Sequence, residues 1–375
     1  MGAGTAQRGA FLLISGKVRK NMEFVVFAGV LLLLFIFMIV QELIQTKNQE
    51  KLFKKYLREN YGKEPPKEYS LERFARLGSY LERHKEEKQL DDITWNDLGM
   101  DEVFRRIDRT YSAAGEEYLY YTLRNISCGR EALEHLEEVV NWLQEQENIK
   151  VRIQLLMKRL GHLGKYSLYD YLDNLDYLGE RSNRKIVLGN LLYLPFLLLL
   201  FVQPAMGTIG IVLCMLWHIM TYFREKKVIE PYIISFAYVL RLIDVCEELE
   251  KQKIPVYRRE LDELREVLKS LRELRRGAYW VMAGNQGKIG GNPLDILADY
   301  LRMILHLDIF QFNRMLEKLR KKTGQVETML AITGYLDMAI SVGGFRKSLE
   351  GYCIPKLEED TEKAFLHMKK GWHPL

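Results

Sequence analysis

The chain has 375 residues, of which 48% are hydrophobic and 28% are charged, and its formal net charge at pH 7 is only +5. So weak a charge does not by itself indicate a nucleic-acid-binding protein. The 4 cysteines lie far apart, and the sequence has no CxxC or HExxH spacing, which argues against a disulfide framework and against a zinc site.

The first predicted element is a membrane-spanning helix. Residues 24–40 read FVVFAGVLLLLFIFMIV, and the following QELI can extend the helix to residue 44. About 20 residues suffice to cross a bilayer core of ~30 Å. A cleaved signal peptide is the alternative, but its apolar core would be shorter and small residues would mark the cleavage site. We therefore predict a retained anchor.

A polar linker follows the anchor. Residues 47–62 form a predicted basic helix, which could lie along anionic lipid or could be a solvated linker. Pro65-Pro66 interrupts the chain, and Ser70 is placed to cap a helix that runs to about Lys88.

Short amphipathic helices are predicted from residue 91 onward. Asp101 and Ser112 are candidate N-caps of two of them. Leu119 and Leu123 are four residues apart and share one face of the second helix. A further amphipathic helix is predicted over 130–148.

Two apolar runs, 186–202 and 205–223, form a predicted transmembrane hairpin. Only Gln203-Pro204 separates them, and proline disfavours a continuous helix. Basic residues flank both ends, which predicts a cytoplasmic position for both: Arg181, Arg184, Lys185, Arg224, Lys226 and Lys227. The N-terminus would then lie outside. A buried hairpin of a soluble protein is the alternative.

His218 lies inside the second arm of this hairpin. An ionisable residue in a membrane segment is a functional candidate. Its proximity to Thr221 and Arg224 instead favours an interfacial histidine that snorkels toward water.

After the hairpin, the helix predicted over 255–276 has a heptad seam. Tyr257, Leu261, Leu264, Leu268 and Leu271 follow one another at four- and three-residue steps, which predicts packing against a partner helix. The glycine-rich GNQGKIGG of residues 284–291 lacks the GxxxxGK[ST] spacing of a phosphate-binding loop, and we interpret it as a flexible turn.

The last region is predicted to be helical with an extended end. Asn292-Pro293 has the pattern of a helix start. The helix over 325–341 is predicted to break at Gly343-Gly344, and Pro355 favours an extended segment before it.

The sequence predicts no catalytic, cofactor-binding or metal-ligating residue and no small-molecule substrate, so the chain is not predicted to be an enzyme. The adjacent pairs Asp91-Asp92 and Glu116-Glu117 point in different directions on a helix. We interpret them as caps and as first-turn charges that complement the helix dipole.

Two stretches resemble the core domain of MutS mismatch-repair proteins. The first is residues 91–124, DDITWNDLGMDEVFRRIDRTYSAAGEEYLYYTLR. Its matching positions are Asp91 or Asp92, Thr94, Leu98, Phe104, Ile107, Asp108, Thr110, Gly115, Leu119, Leu123 and Arg124. The second is the C-terminal stretch, with Leu336, Asp337, Ala339, Ser341, Tyr352, Pro355, His373, Pro374 and Leu375; Trp372 stands where the family usually has Arg.

The chain resembles in particular the membrane-anchored, MutS-related proteins of bacteria, and the resemblance covers about 91–180 and 290–375. It implies a mostly α fold in which transmembrane helices join a MutS-core-like helical bundle, with a short extended segment at the C-terminus. It also implies a following ATPase domain that this chain lacks, with ATP and Mg as that domain's ligands. Mismatched-DNA binding and a homodimer are implied for a full-length parent, although anchor and linker occupy the place of the mismatch-reading domain.

The predicted localisation is the cell membrane, with several passes and cytoplasmic soluble regions, and the lipid bilayer is the predicted partner. A membrane scaffold or protein-interaction module without nucleotide or DNA binding is the alternative function. The predicted organisation is an N-terminal segment at 1–23, the anchor at 24–44, a juxtamembrane helical linker at 45–90, a core-like region at 91–185, the hairpin at 186–223, lever-like helices at 224–290 and a second core-like part at 291–375.

Overall fold

The computed structural model describes residues 36–41, 43–63, 69, 71–86, 88–126, 129–163, 167–272, 293–356, 367–369 and 371. Over these ranges the regular structure is helical, without a β-strand, and one isolated antiparallel bridge pairs Gln89 with Asn125. The prediction of a mostly α fold is confirmed. Ser70, Asn292, the 284–291 turn and His373–Leu375 lie outside the described residues, as does most of the predicted anchor.

The chain divides into two units, Met1–Tyr56 and Leu57–Leu375. In the first, residues 36–41 and 43–56 are helical, and we label the latter stretch α1. Its apolar residues from Ile36 to Val40, with Leu43 and Ile44, are exposed, as expected for the end of a lipid-embedded anchor.

The second unit begins with helical residues 57–60 and continues through short helices. The helices before the hairpin are α2 (Leu71–Arg83), α3 (Asp92–Asp97), α4 (Met100–Ile107), α5 (Ala113–Arg124), α6 (Arg130–Glu145), α7 (Glu147–Leu160) and α8 (Leu168–Asp173). The helices from the hairpin onward are α9 (Arg184–Leu191), α10 (Tyr193–Val202), α11 (Pro204–Glu250), α12 (Arg258–Leu271), α13 (Pro293–Leu305), α14 (Leu307–Arg320) and α15 (Thr323–Ser348).

Of the predicted caps that lie among the described residues, two are confirmed and one is wrong. Ser112 caps α5 and Asp91 caps α3, each accepting a hydrogen bond from a backbone N–H of the first turn. The prediction that Asp101 is a cap is wrong, because Gly99 in the left-handed region begins α4. Asp101 lies in the first turn and accepts a hydrogen bond from Trp95 Nε1 at 2.7 Å. The helix predicted over 130–148 is divided at Gln146 into α6 and α7.

Three helices in the described part of the chain are long and apolar enough to cross a membrane. Arg184–Val202 and Pro204–Glu230 correspond to the predicted hairpin, and only 6% and 28% of their apolar windows are buried. Thr323–Ser348, in contrast, is 72% buried by the rest of the protein. Its hydropathy therefore reflects a position in the protein core.

The helix α11 does not end where the predicted hairpin ends. It runs for 47 residues without interruption, so the second arm of the hairpin and the first part of the predicted lever-like region, 224–250, are one element. The beginning is as predicted: the chain turns at Gln203, and Pro204 occupies the first turn, where its missing N–H costs nothing.

The predicted break of the last helix at Gly343-Gly344 is wrong, since α15 continues to Ser348. A side chain at Gly343 would place its Cβ 2.6 Å from Tyr61 Oη, and one at Gly344 would meet Arg109 Cδ at 2.9 Å. These glycines permit close packing within a helix whose tertiary contacts outweigh their low helix propensity. Beyond Ser348, residues 351–356 are non-helical and exposed, in line with the expected extended end.

The core consists of two clusters. The larger joins α6, α7, α11, α12, α14 and α15, and the smaller joins α2, α4, α5 and α15 around Trp95 and Phe104. Helix α15 contributes to both clusters. The predicted partner of the α12 seam lies within the chain, because Leu261, Leu264 and Leu271 are buried in the larger cluster and α12 packs on α11 and α15.

Candidate functional site

A polar interface connects the two stretches of the chain that carry the resemblance. Residues 107–117 meet Asp337 and Ser341 of α15 there, and we call this contact the joint. Asp337 is 1% exposed. Its carboxylate accepts hydrogen bonds from the backbone N–H of Ser112 at 2.8 Å, from Ser112 Oγ at 2.6 Å and from the Tyr111 N–H at 3.1 Å. A buried carboxylate thus fixes the entrance of α5 against α15.

Ser341 provides the second attachment of the joint, one helical turn after Asp337. Its hydroxyl donates to the carbonyl of Ile107 at 2.7 Å and accepts from the N–H of Arg109 at 2.7 Å. These groups lie at the end of α4, where the last carbonyl and the N–H of Arg109 have no partner within the helix. The serine hydroxyl therefore bonds to the Arg109 N–H and adds a donor to the Ile107 carbonyl, which also accepts from Arg109 Nη1 at 3.4 Å.

Two glycines permit the close approach of α5 and α15. A Cβ at Gly115 would lie 2.6 Å from the Cβ of Asp337, and a Cβ at Gly334 would lie 2.6 Å from the carbonyl oxygen of Ala114. Neither glycine has a positive φ. Glycine is therefore required at both positions because a larger side chain would collide with the opposite helix, and not because of the backbone conformation.

An ionic network adjoins the joint on the side of α2. Glu116, whose side chain is 0% exposed, accepts from Arg76 Nη2 at 2.8 Å and from Arg73 Nε. Asp108 is also fully buried; it accepts from the Tyr69 hydroxyl and lies 3.7 Å from Arg73 Nη2. Two carboxylates thus face two guanidinium groups. Removing one member of such a buried set costs about 3–5 kcal/mol, because its partner keeps an uncompensated charge.

Glu117 lies beside this network, in a less polar environment. Its carboxyl accepts from Ser167 Oγ at 3.0 Å, and it is buried. Burial raises the pKa of Glu117 to about 8, and the Ser167 hydrogen bond and the nearby Arg76 oppose the shift. The adjacent carboxyls of Glu116 and Glu117 therefore point into different environments, as their predicted helical positions require.

A second polar cluster lies where the hairpin meets the rest of the protein. Tyr222 of α11 donates its hydroxyl to Asp308 at 2.8 Å, and Thr221 Oγ1 lies 3.3 Å from His306 Nε2. His218 is 1% exposed and donates from Nδ1 to the carbonyl of Cys214 at 2.9 Å. The expectation that His218 snorkels toward water is wrong: its ring packs against Tyr193 and His306, which shield it from solvent.

Eleven of the residues quoted for the resemblance fall into three groups. Asp108, Thr110, Gly115, Asp337 and Ser341 form or adjoin the joint. Hydrophobic residues of the same stretches pack in the smaller core cluster: Phe104, Ile107, Leu119 and Leu123. Tyr352 and Pro355 lie in the exposed C-terminal segment, away from the joint.

Arg73 and Arg76 are site residues that the sequence reasoning missed. They are three residues apart on α2 and so share a face of that helix. The spacing alone would have indicated a basic stripe. It could not indicate that the stripe faces buried acids more than thirty residues away in the sequence.

Among the described residues, no group of three His, Cys, Asp or Glu side chains is arranged to hold a metal ion. Comparisons with protein-family models, with curated proteins and with solved structures found no match. The function of the chain must therefore be inferred from its own residues and contacts.

Proposed function

We propose that the chain is a membrane-anchored module that couples a transmembrane hairpin to the joint between its two core-like halves. The carrying observation is the continuity of α11. At about 1.5 Å per residue, this helix of 47 residues is ~70 Å long. Its first part is apolar and exposed, and its second part is buried in the larger core cluster.

The contacts of α11 support a mechanical role. The helix packs against α7, α12 and α15, and α15 has its most extensive contact with α5. A displacement of the hairpin can therefore reach the joint through two packed helices. Coupling of this kind requires two conformations of the chain. The free-energy difference between them must depend both on the hairpin and on the joint.

The resemblance to MutS proteins adds a biochemical context to this proposal. In that family, core and lever helices transmit strain between an ATPase domain and a clamp that faces DNA. We propose the same role here in a multi-pass membrane protein with cytoplasmic soluble regions, which would act as a homodimer. ATP and Mg would bind a separate domain, since GxxxxGK[ST] occurs nowhere in this sequence. We assign no catalytic step to this chain.

An amide-exchange experiment tests the coupling. The variant Asp337→Asn keeps the size of the side chain and weakens the hydrogen bonds at Tyr111 and Ser112. In lipid nanodiscs we expect faster exchange at 108–117 and also in α11 at 224–236. The exposed Glu350→Gln is the matched control and should change neither region. Faster exchange confined to 108–117 and 333–341 would contradict the coupling.

Binding of DNA is tested separately, by anisotropy of a labelled mismatched duplex at increasing salt. Phosphate contacts release counterions, so the affinity of a true DNA-binding protein falls steeply as salt rises. Salt-sensitive binding that exceeds binding to a matched duplex supports the MutS-like role. Absence of binding favours the alternative of a membrane scaffold.

The exposed basic residues of α1 favour that alternative. Lys47 and Lys51 are exposed, and Lys54 forms an ion pair of 2.6 Å with Glu50. Such a surface suits anionic lipid or an acidic protein. The α12 seam does not contribute to it, because its leucines are already buried within the chain.

A further inference from the structure

The turn between α13 and α14 lies against the side of the hairpin. His306 forms this turn with a φ of 54°, in the left-handed region. The carbonyl of Leu305 accepts from Asn190 Nδ2 at 3.1 Å, and the rings of His306 and His218 are 5.3 Å apart between centroids. The turn therefore contacts both arms of the hairpin.

The hairpin itself indicates how deep this turn lies. Asn190 follows Arg184 by six residues, and His218 precedes Arg224 by six residues. Arg184 and Arg224 are exposed basic residues at the base of the two arms. At 1.5 Å per residue, both arms place the turn ~9 Å beyond that base, inside the apolar part of the hairpin.

The contacts of α14 show that this helix leads back toward the base. Asp308 contacts Tyr222, the carbonyl of Phe310 accepts from Asn183 Nδ2 at 3.0 Å, and Asn313 Oδ1 accepts from Arg181 Nε at 3.0 Å. Asp308 thus contacts a residue inside the hairpin, whereas Phe310 and Asn313, further along α14, contact residues just outside its basic end. The turn at His306 is the innermost point of this helix.

The side chains described next to the turn, at residues 299–306, differ in exposure. Tyr300 and Leu301 are 57% and 44% exposed on the outer surface. Arg302 is 7% exposed and bonds to Asp299 at 2.7 Å, and His306 is 5% exposed, facing the hairpin. Two adjacent apolar side chains thus face outward, and Arg302 and His306 face inward, as expected of a segment that borders lipid. The side chain of Asp299, which pairs with Arg302, is 58% exposed.

We propose that the α13–α14 turn inserts into the cytoplasmic leaflet beside the hairpin, with Tyr300 and Leu301 in contact with lipid acyl chains. This inference rests on the proposed membrane insertion of the hairpin. A depth of ~9 Å matches the ~5–10 Å at which interfacial helices bury their apolar faces. Within both helices the backbone groups bond to one another, the Leu305 carbonyl at the end of α13 accepts from Asn190, and His306 faces the protein, which suits a bilayer.

The test is spin-label accessibility of the full chain in nanodiscs, in a background with its four cysteines replaced by alanine. Single cysteines are placed at Leu301, at Leu198 in the hairpin and at Tyr352 in the non-helical C-terminal segment. The last two are 69% and 50% exposed in the isolated protein. Circular dichroism and thermal melts compared with the parent chain verify that each labelled protein folds.

We expect the label at Leu301 to collide more often with oxygen, which partitions into lipid, than with a water-soluble nickel chelate. The label at Leu198 should behave in the same way, and the label at Tyr352 in the opposite way. If the label at Leu301 is as accessible to nickel as the label at Tyr352, while the label at Leu198 lies in lipid, the proposed insertion of the turn is wrong. The membrane hairpin would still stand. Nickel accessibility at Leu198 as well would overturn the membrane hairpin and this inference together.

Discussion

At the scale of single residues, the joint depends on small side chains as much as on polar ones. Gly115 and Gly334 lie at helical positions where any side chain would collide with the opposite helix. The Asp337 carboxylate can reach the N–H groups of Tyr111 and Ser112 only because α5 and α15 are this close. The hydrogen bonds and the helix spacing therefore depend on each other.

We expect Gly115→Ala to lower the free energy of unfolding by about 1–3 kcal/mol, the usual cost of inserting a methyl group into a packed interface. Chemical denaturation monitored by circular dichroism measures this change. The matched control is Gly78→Ala on α2, where a Cβ meets nothing within 4 Å. That variant should be neutral, or more stable by up to ~1 kcal/mol from helix propensity. Equal stability of the two variants would contradict a packing requirement at Gly115.

Glu117 makes the stability of the fold depend on pH. Its pKa in the folded protein is about 8, well above that of an exposed glutamate, because it is buried. Between the two pKa values the folded state binds more protons than the unfolded state. Stability therefore falls as the pH rises through this interval, and the contribution is lost above the folded pKa.

We expect the wild type to lose stability between about pH 5 and pH 8 relative to Glu117→Gln, with a slope of at most ~1.4 kcal/mol per pH unit for one proton. Denaturation midpoints of both proteins at several pH values provide the comparison. The glutamine removes this titration and leaves all others in place. A difference between the two proteins that does not vary with pH would show that Glu117 keeps an ordinary pKa.

At the scale of elements, α11 connects the exposed apolar hairpin with the part of the chain that is buried in the protein core. Pro231 lies inside this helix, beyond the basic end of the hairpin. Proline has no N–H to donate, so the carbonyl of Lys227 lacks its usual helical partner there. The helix is therefore weakened a few residues beyond the basic end of the hairpin.

We expect Pro231→Ala to slow amide exchange at 227–232, because the new N–H can bond to the carbonyl of Lys227. The propensity difference between the two residues is about 3 kcal/mol in a helix interior, which sets an upper limit on the effect. Glu230→Ala is the control, since it replaces an exposed neighbour without adding a donor. If exchange slows equally in both variants, the missing donor is not the weak point of the helix.

The elements also show where local sequence patterns misled. Gly343-Gly344 has the composition of a helix end, yet α15 continues because these glycines fit against Tyr61 and Arg109. The hydropathy of the same helix is that of a membrane span, yet the protein covers it. In both cases the partner is distant in sequence, so periodicity and propensity contain no information about it.

At the scale of the whole molecule, the arms of the hairpin leave many large apolar side chains uncovered. Most of their side chains are exposed, including Leu198 at 69% and Phe201 at 90%. An uncovered surface of this kind is a membrane or interaction surface. The low burial of both arms is consistent with lipid around them.

We expect Leu198→Lys to reduce the membrane-inserted fraction, measured by alkaline extraction of membranes from expressing cells. On insertion scales a lysine costs about 2.5–3.5 kcal/mol at the centre of a membrane helix, and this is an upper limit at Leu198, which lies four residues from the end of α10. Tyr352→Lys is the control, because it adds the same charge at an exposed position outside the apolar helices. Full retention of Leu198→Lys in the membrane pellet would argue against a lipid-embedded hairpin.

The sequence by itself determined the features that depend on neighbouring residues. Local composition and period determine the helical class, the apolar arms of the hairpin with a turn at Gln203-Pro204, the cap at Ser112 and the buried α12 seam. Only the tertiary structure decided that α11 is continuous, that His218 is buried and that Asp337 joins α5 to α15. These features depend on contacts between residues far apart in the chain. Close packing and the burial of charge select such contacts, and no local pattern specifies them.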